Sequence, residues 1–339
     1  MPRFRRSVSS LRRKAARRIL LASVVFFAAY LGASVWFVRH PKAWRDAKKE
    51  SWPRFAAAAL EYLGSPARDL SDAFGLTGED ATASATRPAP AGRIDFAGLP
   101  VRRGAPAPDD IQILRRGDFA IGWSPSLKHP VWCAYHVPAE PAYEAGARPN
   151  FRKDPAVKSS PPSSAYARSG YDRGHMVPNY AIATRFGPAS QGKTFLTTNI
   201  SPQSPGLNRG VWRDVEHRIA EFWTRRWGEI WVVVGAISNG QETLSGTDVN
   251  VPESFYQIAV AQSGGEIRAV AVLFDQGVEW RAWPTDYIVS IDEIEKLSGL
   301  DFFTGLDPET ERVLEAAVPT RLWPVGFVDA FRQLLSHNE

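Results

Sequence analysis

One of the six histidines in the sequence, His175, lies among other polar residues that could take part in chemistry. It belongs to the segment YDRGHMVPN (171–179), which follows a loop rich in Pro, Ser and Gly. Neutral imidazole titrates near pH 6.5, so a histidine can take a proton from water at neutral pH. A bare Asp-x-Gly-His sequence is short, however, and an ordinary loop histidine explains it equally well.

A second polar block, TTNISPQSPGLNRGVWRDVEH (197–217), lies downstream. Asn199 and Gln203 are in its turn-rich first part, and Asn208 stands where a helix is predicted to begin. Glu216 follows eight positions later, which on an α-helix corresponds to about 80° of rotation, so the two side chains would project from neighbouring sides two turns apart. From the residues alone, the favoured interpretation of Asn208 is an N-cap.

Several familiar motifs are missing from the sequence. It contains no HExxH, GxSxG, Walker A or GxGxxG pattern, the usual markers of zinc proteases, α/β-hydrolases and nucleotide-binding loops. The single cysteine, Cys133, excludes an intramolecular disulfide and a Cys-based zinc site. We expect His129 and His337 at the surface, His136 as a structural residue at a strand end, and His217 facing solvent.

Strands that could position these residues are indicated by apolar runs. Aromatic and β-branched runs at 118–124 and 130–137 are separated by a short turn and predict a β-hairpin. The continuous apolar run at 229–237 predicts a strand that is buried on both faces. The runs FYQIAVAQ and EIRAVAVLF flank a Ser-Gly-Gly turn and predict a second hairpin.

Helices are predicted between and after these strands. Apolar residues at three- and four-residue spacing predict an amphipathic helix over 206–228, ended by Gly228. Ser290 precedes IDEIEKLSGL and predicts a capped helix that stops at Gly299. Antiparallel strand pairs with helices between them predict an α+β domain over 110–339, with a central antiparallel sheet flanked by helices.

Length and charge bound the possible classes of protein. The 339 residues are 44% apolar and 12% aromatic, which excludes collagen-like, coiled-coil and wholly disordered chains and allows one large domain or two small ones. The formal net charge is +5, yet residues 1–50 hold 13 basic and 2 acidic residues, and the rest holds 28 basic and 34 acidic residues. The overall charge therefore does not by itself indicate nucleic-acid binding.

The N-terminal segment predicts a membrane anchor. Residues 1–18 form a basic tail without acidic residues, and residues 19–38 carry no charge over a length that spans about 30 Å as a helix. The positive-inside rule places the tail in the cytoplasm and the rest of the chain on the far side, periplasmic or extracellular. A cleaved signal peptide, a mitochondrial presequence that would place the chain at the mitochondrial inner membrane, and a buried helix are the alternatives. Residues 39–109 predict a juxtamembrane helix and a flexible Pro/Ala-rich linker.

The two polar blocks together resemble one known family. DRGH (172–175), followed by TN-x-x-PQ-x-x-x-LN-x-x-x-W-x-x-x-E, is similar to the DNA/RNA non-specific endonucleases, which are ββα-metal (His-Me finger) enzymes. The similarity extends to VWCAYHV, VLFDQ and SIDEIEKLSGLDFFTGL. It implies a ββα-metal nuclease fold and a Mg²⁺-dependent hydrolysis of DNA and RNA that leaves 5′-phosphates, with Mn²⁺ as a possible substitute. Homodimers also occur in this family.

The resemblance implies a role for each matching residue. His175 would be the general base, and Asn208 would be the only direct protein ligand of one Mg²⁺, a hard cation that keeps most of its water. Glu216 would hold a metal-bound water. Arg173 would contact the phosphate or the charge that develops on it, and Asn199 would help to position the site.

The resemblance leaves some assignments open. Asp172 would orient the loop, and a further phosphate-contacting arginine would be Arg148 or Arg152, both in ARPNFRKDP (147–155). The alternative function is a non-catalytic binding module for nucleic acid or protein, which would be expected to lose the base or the metal ligand. A third hypothesis is a phosphodiesterase with a closed pocket for small nucleotides.

Overall fold

Antiparallel strands form the centre of the fold in this computed structural model, which describes residues 94–280 and 282–323 and the backbone of residues 81–84. In chain order the strands are β1 (Ala81–Ser84), β2 (Val101–Arg102), β3 (Gln112–Arg115), β4 (Phe119–Ser124), β5 (His129–Val137), β6 (Asp172–His175), β7 (Ile200–Gln203), β8 (Ile230–Ile237), β9 (Ser254–Ser263), β10 (Glu266–Asp275), β11 (Ile288–Val289) and β12 (Leu300–Asp301). The main sheet has the order β1-β10-β9-β8-β5-β4-β3, with β11 also paired to β10. Strands β2 and β12, and strands β6 and β7, form two separate ribbons.

The sheet confirms the predicted hairpins. Strands β4 and β5 pair antiparallel, with Phe119 opposite Tyr135, and β9 and β10 pair through Ser263 and Glu266. Strand β8 lies between β5 and β9, and its residues are buried except for the half-buried Ile237. A strand that is covered on both faces needs apolar side chains at consecutive positions, which is why this run shows no alternation.

Helices lie on both sides of this sheet. They are α1 (Asn179–Thr194), α2 (Pro205–Arg209), α3 (Val211–His217), α4 (Thr224–Trp227), α5 (Ile291–Ser298) and α6 (Pro308–Ala316). A π-helical segment, Arg218–Trp223, joins α3 to α4. Helix α5 confirms its predicted ends, because the Ser290 side chain accepts a hydrogen bond from the Glu293 N–H and Gly299 adopts a left-handed conformation.

The helix predicted over 206–228 is not continuous. It starts at Pro205 and ends before Gly228 as expected, but the backbone at Gly210 (φ −98°, ψ −118°) separates α2 from α3. A Cβ at this glycine would lie 2.9 Å from the Trp280 carbonyl oxygen and would overlap the Gly206 carbonyl oxygen. Close packing of the backbone therefore leaves no space for a side chain at the break, a constraint that apolar spacing does not reveal.

The expected role of Asn208 as an N-cap is also wrong. Ser204 caps α2, because its Oγ accepts a hydrogen bond from the Leu207 N–H at 3.3 Å. Asn208 lies within that helix, and Glu216 belongs to α3. The two side chains therefore belong to different helices separated by the break at Gly210, and the expected rotation of about 80° along one helix does not apply.

The two faces of the sheet carry different layers. On one face Ile258 packs in a core cluster with Ile294 of α5 and Leu314 of α6. The next residue back, Gln257, points to the opposite face, where its Nε2 donates a hydrogen bond to the Trp212 carbonyl oxygen on α3 (3.2 Å). Helices α5 and α6 therefore lie across the sheet from α3.

The predicted linker is too long at its C-terminal end. Phe96 is only 2% exposed, and its ring centroid lies 5.4 Å from that of Trp231. Strand β2 pairs with β12, and the backbone of β1 pairs with β10. The prediction of a flexible linker to residue 109 is therefore wrong for 94–109, because a few isolated apolar residues anchor this segment without producing a periodic pattern.

Some predictions fall outside the described residues. The basic tail at 1–18, the span at 19–38, the juxtamembrane helix and His337 belong to this group. Within the described part of the chain, no helix combines the length and the apolar character needed to cross a bilayer.

Candidate active site

The DRGH segment forms strand β6, which pairs antiparallel with β7. The register places Asp172 opposite Gln203 and His175 opposite Ile200. Gly174 lies so close to the buried Gln203 side chain that a Cβ at this position would overlap it. Helices α2 and α3 follow β7, so the chain forms a β–β–α unit from the two polar blocks of the sequence.

His175 lies at the end of β6 in an apolar environment. Its side chain is 8% exposed, and its ring centroid lies 5.1 Å from that of Phe151 and 4.8 Å from that of Phe195. Burial, together with the positive charge of Arg148, lowers the pKa of His175 to about 3. The imidazole is therefore neutral throughout the physiological pH range, which leaves one ring nitrogen unprotonated, although the lowered pKa makes it a weaker base. Its Nε2 is buried and has no hydrogen-bond partner among the described residues.

Asn199 fixes the backbone that follows His175. It is fully buried, and its Oδ1 accepts a hydrogen bond from the Val177 N–H (2.9 Å). Its Nδ2 donates to the carbonyl oxygens of Val177 (2.9 Å) and Thr194 (3.0 Å), and its own carbonyl accepts from the Met176 N–H. Its polar atoms are used inside the core, so its contribution to the site is positional.

Asp172 orients the Asn208 side chain. Its Oδ2 accepts hydrogen bonds from Asn208 Nδ2 (2.9 Å) and Arg209 Nε (2.7 Å), and its Oδ1 accepts one from Arg209 Nη2 (2.5 Å). Arg209 and Asn208 lower the pKa of Asp172 below its usual value. Because the amide nitrogen of Asn208 binds this carboxylate, Oδ1 points away from it, and no described residue donates a hydrogen bond to that oxygen.

Glu216 and His175 are linked through one indole. Trp212 Nε1 donates to Glu216 Oε1 (2.9 Å) and lies 3.3 Å from the His175 carbonyl oxygen. Burial of the carboxyl raises the pKa of Glu216 to about 8, although Trp212, Arg148 and Arg213 act in the opposite direction. A neighbouring cation would favour the ionised form.

Arg173 is held beside His175. Its Nε and Nη2 donate to the Ser163 carbonyl oxygen at 3.1 and 2.9 Å. Its guanidinium carbon lies 5.6 Å from the centroid of Phe151, the ring that also contacts His175. Residues two apart on a strand point to the same face, so Arg173 and His175 share one side of the ribbon.

The structure distinguishes Arg148 from Arg152. The guanidinium carbon of Arg148 lies 5.8 Å from the Phe195 centroid, and its charge affects the pKa of both His175 and Glu216. Arg152 is bound through its backbone, which donates to the Phe195 carbonyl and accepts from the Thr197 N–H. Arg148 is therefore the arginine whose charge acts on the site.

These groups suit a hydrated cation. Asn208 offers an oriented neutral oxygen, and Glu216 is a half-buried carboxyl that lacks a charged hydrogen-bond partner among the described residues. Hard cations such as Mg²⁺ prefer oxygen ligands and retain several waters, so few protein ligands are needed. The donor set therefore fits the expected metal, to which Asn208 offers a direct ligand atom.

Three other described histidines do not belong to this site. The expectation that His129 lies at the surface is wrong, because it is fully buried, and burial lowers its pKa to about 4. His136 has a structural role as expected, since it is buried and stacks on Trp231 with the ring centroids 5.3 Å apart. His217 is exposed on α3, as predicted.

Sequence reasoning gave no role to the aromatic residues around the site. Trp212 joins Glu216 to the strand of His175, and its place in the W-x-x-x-E pattern was the available signal. Phe151 and Phe195 enclose the imidazole, but both are distant from His175 in the chain. No spacing rule brings such residues together, so only the tertiary structure identifies them.

The pKa of Glu216 predicts a pH-dependent stability for the metal-free protein. The folded-state value near 8 lies above the usual 4.5, so the folded state retains a proton that the unfolded chain releases, and stability falls as the pH rises from about 5 to 8. Glu216→Gln removes this contribution. The Tm of this variant minus the Tm of the unsubstituted chain, both measured in EDTA, should increase by about 3 °C or more from pH 5 to pH 8.

The comparison at each pH isolates Glu216 from other titrating groups. Glu309→Gln is the matched control, because Glu309 is exposed on α6 and pairs with Arg312, and it should show no such trend. A Tm difference for Glu216→Gln that stays constant with pH would show that Glu216 is ionised in the folded state.

Comparison with known proteins places these features in a family. The family model described as DNA/RNA non-specific endonuclease matches residues 100–309. The chain is 32% identical over 227 residues to a nuclease of Nostoc sp., covering 62% of this chain and 79% of that protein. It is 29% identical to the mitochondrial nuclease EXOG of Mus musculus, of which it spans 57%.

The fold is also similar to a known structure. A chain from the crystal structure of an EndoG/EndoGI complex superposes with a TM-score of 0.55 and 22% identity, covering 67% of this chain and 96% of that one. At this identity the superposition concerns the fold alone. The match of the family model over more than half of the sequence, together with the Nostoc relative, assigns the chain to the DNA/RNA non-specific endonuclease family.

Proposed function

We propose that this endonuclease hydrolyses phosphodiester bonds of both DNA and RNA at a ββα-metal site, with His175 as the general base and Mg²⁺ bound by Asn208. The observation that carries the proposal is the orientation of Asn208. Asp172 binds its amide nitrogen at 2.9 Å, so Oδ1 is directed away from the carboxylate and is available to a cation. The β–β–α unit supplies both this oxygen and the neutral imidazole.

His175 would accept the proton of the attacking water. Its Nε2 is buried without a partner among the described residues, which leaves Nδ1 as the ring nitrogen that water can reach. In the neutral tautomer protonated at Nε2, Nδ1 is an acceptor. As the water oxygen bonds to phosphorus, its proton passes to Nδ1 and the bond to the 3′-oxygen breaks, which leaves a 5′-phosphate and, after protonation, a 3′-hydroxyl.

Asn208 and Glu216 would hold the metal from two sides. Asn208 would bind directly through Oδ1, and Glu216 would accept hydrogen bonds from the hydration shell. When bound, Mg²⁺, or Mn²⁺ in its place, would neutralise negative charge on the phosphate and the leaving oxygen. Its positive charge would also favour ionisation of Glu216, whose pKa is near 8 without it.

Arginine side chains would bind the phosphates on either side of the scissile bond. Arg173 is fixed by its two hydrogen bonds to Ser163, and Arg148 is exposed and acts electrostatically on His175 and Glu216. Contacts to phosphate carry no base information, which agrees with cleavage that is independent of sequence. A locally basic site of this kind can bind nucleic acid even though residues 51–339 are net negative.

We also propose that the enzyme is anchored in a membrane by residues 19–38, with its N-terminus in the cytoplasm and the nuclease on the periplasmic or extracellular side. The support is the uncharged twenty-residue segment between the basic tail and Arg39. Nucleic acid outside the cytoplasm would then be the substrate.

Loss of the general base should abolish cleavage without unfolding the chain. We expect His175→Ala to reduce the rate on supercoiled plasmid and on a long RNA by about 10²- to 10⁴-fold in Mg²⁺. The full chain should be used, because residues 94–109 are part of the fold. His217→Ala, an exposed histidine on α3, is the control and should retain activity. Unchanged turnover in a folded His175→Ala variant would exclude this mechanism.

The orientation of Asn208 can be tested through Asp172. Asp172→Asn can present an amide nitrogen where the carboxylate accepts two hydrogen bonds, so Asn208 loses its fixed orientation. We expect the Mg²⁺ concentration for half-maximal activity to increase by about 10- to 100-fold. Arg209→Gln removes the ion pair but leaves the Asp172–Asn208 hydrogen bond, and it should have a much smaller effect. Equal effects of the two substitutions would contradict the orienting role.

Membrane anchoring can be tested by fractionation of expressing cells. The full chain should stay in the membrane pellet after washing with high salt, whereas deletion of 19–38, which keeps the basic tail, should release an active nuclease. Release of the full chain by salt would indicate electrostatic attachment rather than a span. Retention of the deletion variant in the pellet would also contradict the proposal.

A further inference from the structure

A cluster of carboxylates lies on the face of the sheet opposite α3. Asp292 and Glu295 belong to α5 and Glu315 belongs to α6, and one oxygen from each lies within 4.8 Å of the others. It is the one such group of potential metal ligands within the residues that the structure describes. None of its members belongs to the β–β–α unit.

Glu295 is largely buried and partly compensated. It is 8% exposed, and its Oε1 accepts a hydrogen bond from the Phe302 N–H at 2.8 Å. Its Oε2 lies 3.6 Å from Arg103 Nη1, but the other terminal nitrogen of this arginine lies 2.6 Å from Asp301. The carboxylates of Glu295 and Asp301 therefore share one guanidinium. Within the described residues, no ion pair compensates Asp292 or Glu315.

Glu315 has no compensating partner among the described residues. It is 4% exposed, and its Oε1 is fully buried without a hydrogen bond in the described part of the chain. Burial, together with the nearby carboxylates of Glu295, Glu311, Asp292 and Asp301, raises the pKa of Glu315 to about 9. Without a cation this carboxyl therefore keeps its proton, whereas a bound cation would stabilise the ionised form.

The ligand chemistry of this cluster favours one of the common cations. One oxygen from each carboxylate lies within 4.8 Å of the others, so a single ion can contact all three. Ca²⁺ accepts about six to eight oxygen ligands, carboxylates among them, in a flexible geometry, whereas Mg²⁺ demands a near-ideal octahedron and usually binds few carboxylates. Three carboxylates from two helices therefore suit Ca²⁺. Asp292 is exposed, which gives the ion a path from solvent and leaves space for water ligands.

We propose that Asp292, Glu295 and Glu315 form a Ca²⁺ site that joins α5 to α6. Its role is structural, because the sheet separates it from His175. The bound ion would neutralise the carboxylates and hold together two helices that already share a core through Ile294 and Leu314. This inference does not depend on the proposed catalytic mechanism.

The proposal can be tested by measuring how Ca²⁺ changes the Tm of a variant that lacks the proposed catalytic metal site at Asn208. The full chain carrying Asn208→Ala, kept in mild detergent, is first freed of metal with a chelator that is then removed. Saturating Ca²⁺ should raise its Tm by about 5 °C, and calorimetry should detect one bound ion. Adding Glu315→Gln should abolish both effects.

Two further variants make the result specific. Asp292→Asn changes an exposed residue, so it preserves folding, and it should weaken Ca²⁺ binding at least about tenfold. Glu309→Gln, an exposed residue of α6 paired with Arg312, should leave the response unchanged. If Asn208→Ala shows no Ca²⁺-dependent shift, or if Asp292→Asn or Glu315→Gln retains the full shift, the carboxylates share protons instead and the proposal is wrong.

Discussion

Desolvation shifts the pKa of both titratable groups in the candidate site toward the uncharged form. Phe151 and Phe195 exclude water from His175, which lowers its pKa and keeps the imidazole neutral. The same loss of hydration raises the pKa of Glu216, because a desolvated carboxyl prefers its neutral form. Apolar surroundings thus act on a base and an acid in opposite directions, and both are left uncharged until a cation or a substrate enters. The packing of this region therefore sets the chemistry as much as the polar residues do.

Three hydrogen-bonded side chains hold the polar groups in place within that packing. Asn199 fixes the chain after His175, Asp172 fixes the amide of Asn208, and the indole of Trp212 connects α3 to β6. Each joins segments that the sequence separates by tens of residues. The central sheet provides the rigid support for this arrangement, because α3 packs on one face while α5 and α6 cover the other. Rigid elements of this kind keep reacting groups in position more accurately than loops do.

The sequence predicted the secondary-structure elements whose signals lie in residues close together in the chain. The hairpins and helix α5 carry local signals, namely apolar runs, a serine cap and a terminal glycine, and the structure has them at the predicted places. The features that it did not predict depend on distant contacts. Gly210, at the break, packs against a loop seventy residues away, Phe96 is buried by a strand from the middle of the domain, and His129 is enclosed by neighbours that no local pattern shows. At the site, the motif indicated the candidate residues, whereas the partners that orient Asn208 and enclose His175 came only from the fold.

The contact between Gly174 and Gln203 has a consequence for how this sequence can diverge. A side chain at 174 would occupy the space that the buried glutamine fills, so the glycine of DRGH is required by the neighbouring strand and not by the reacting groups. A larger residue at 174 requires the Gln203 side chain to move or position 203 to become smaller. Changes at the two positions, nearly thirty residues apart, should therefore be coupled. Part of the tetrapeptide is thus constrained by packing, and a relative that kept the chemistry could lose this glycine through a paired substitution.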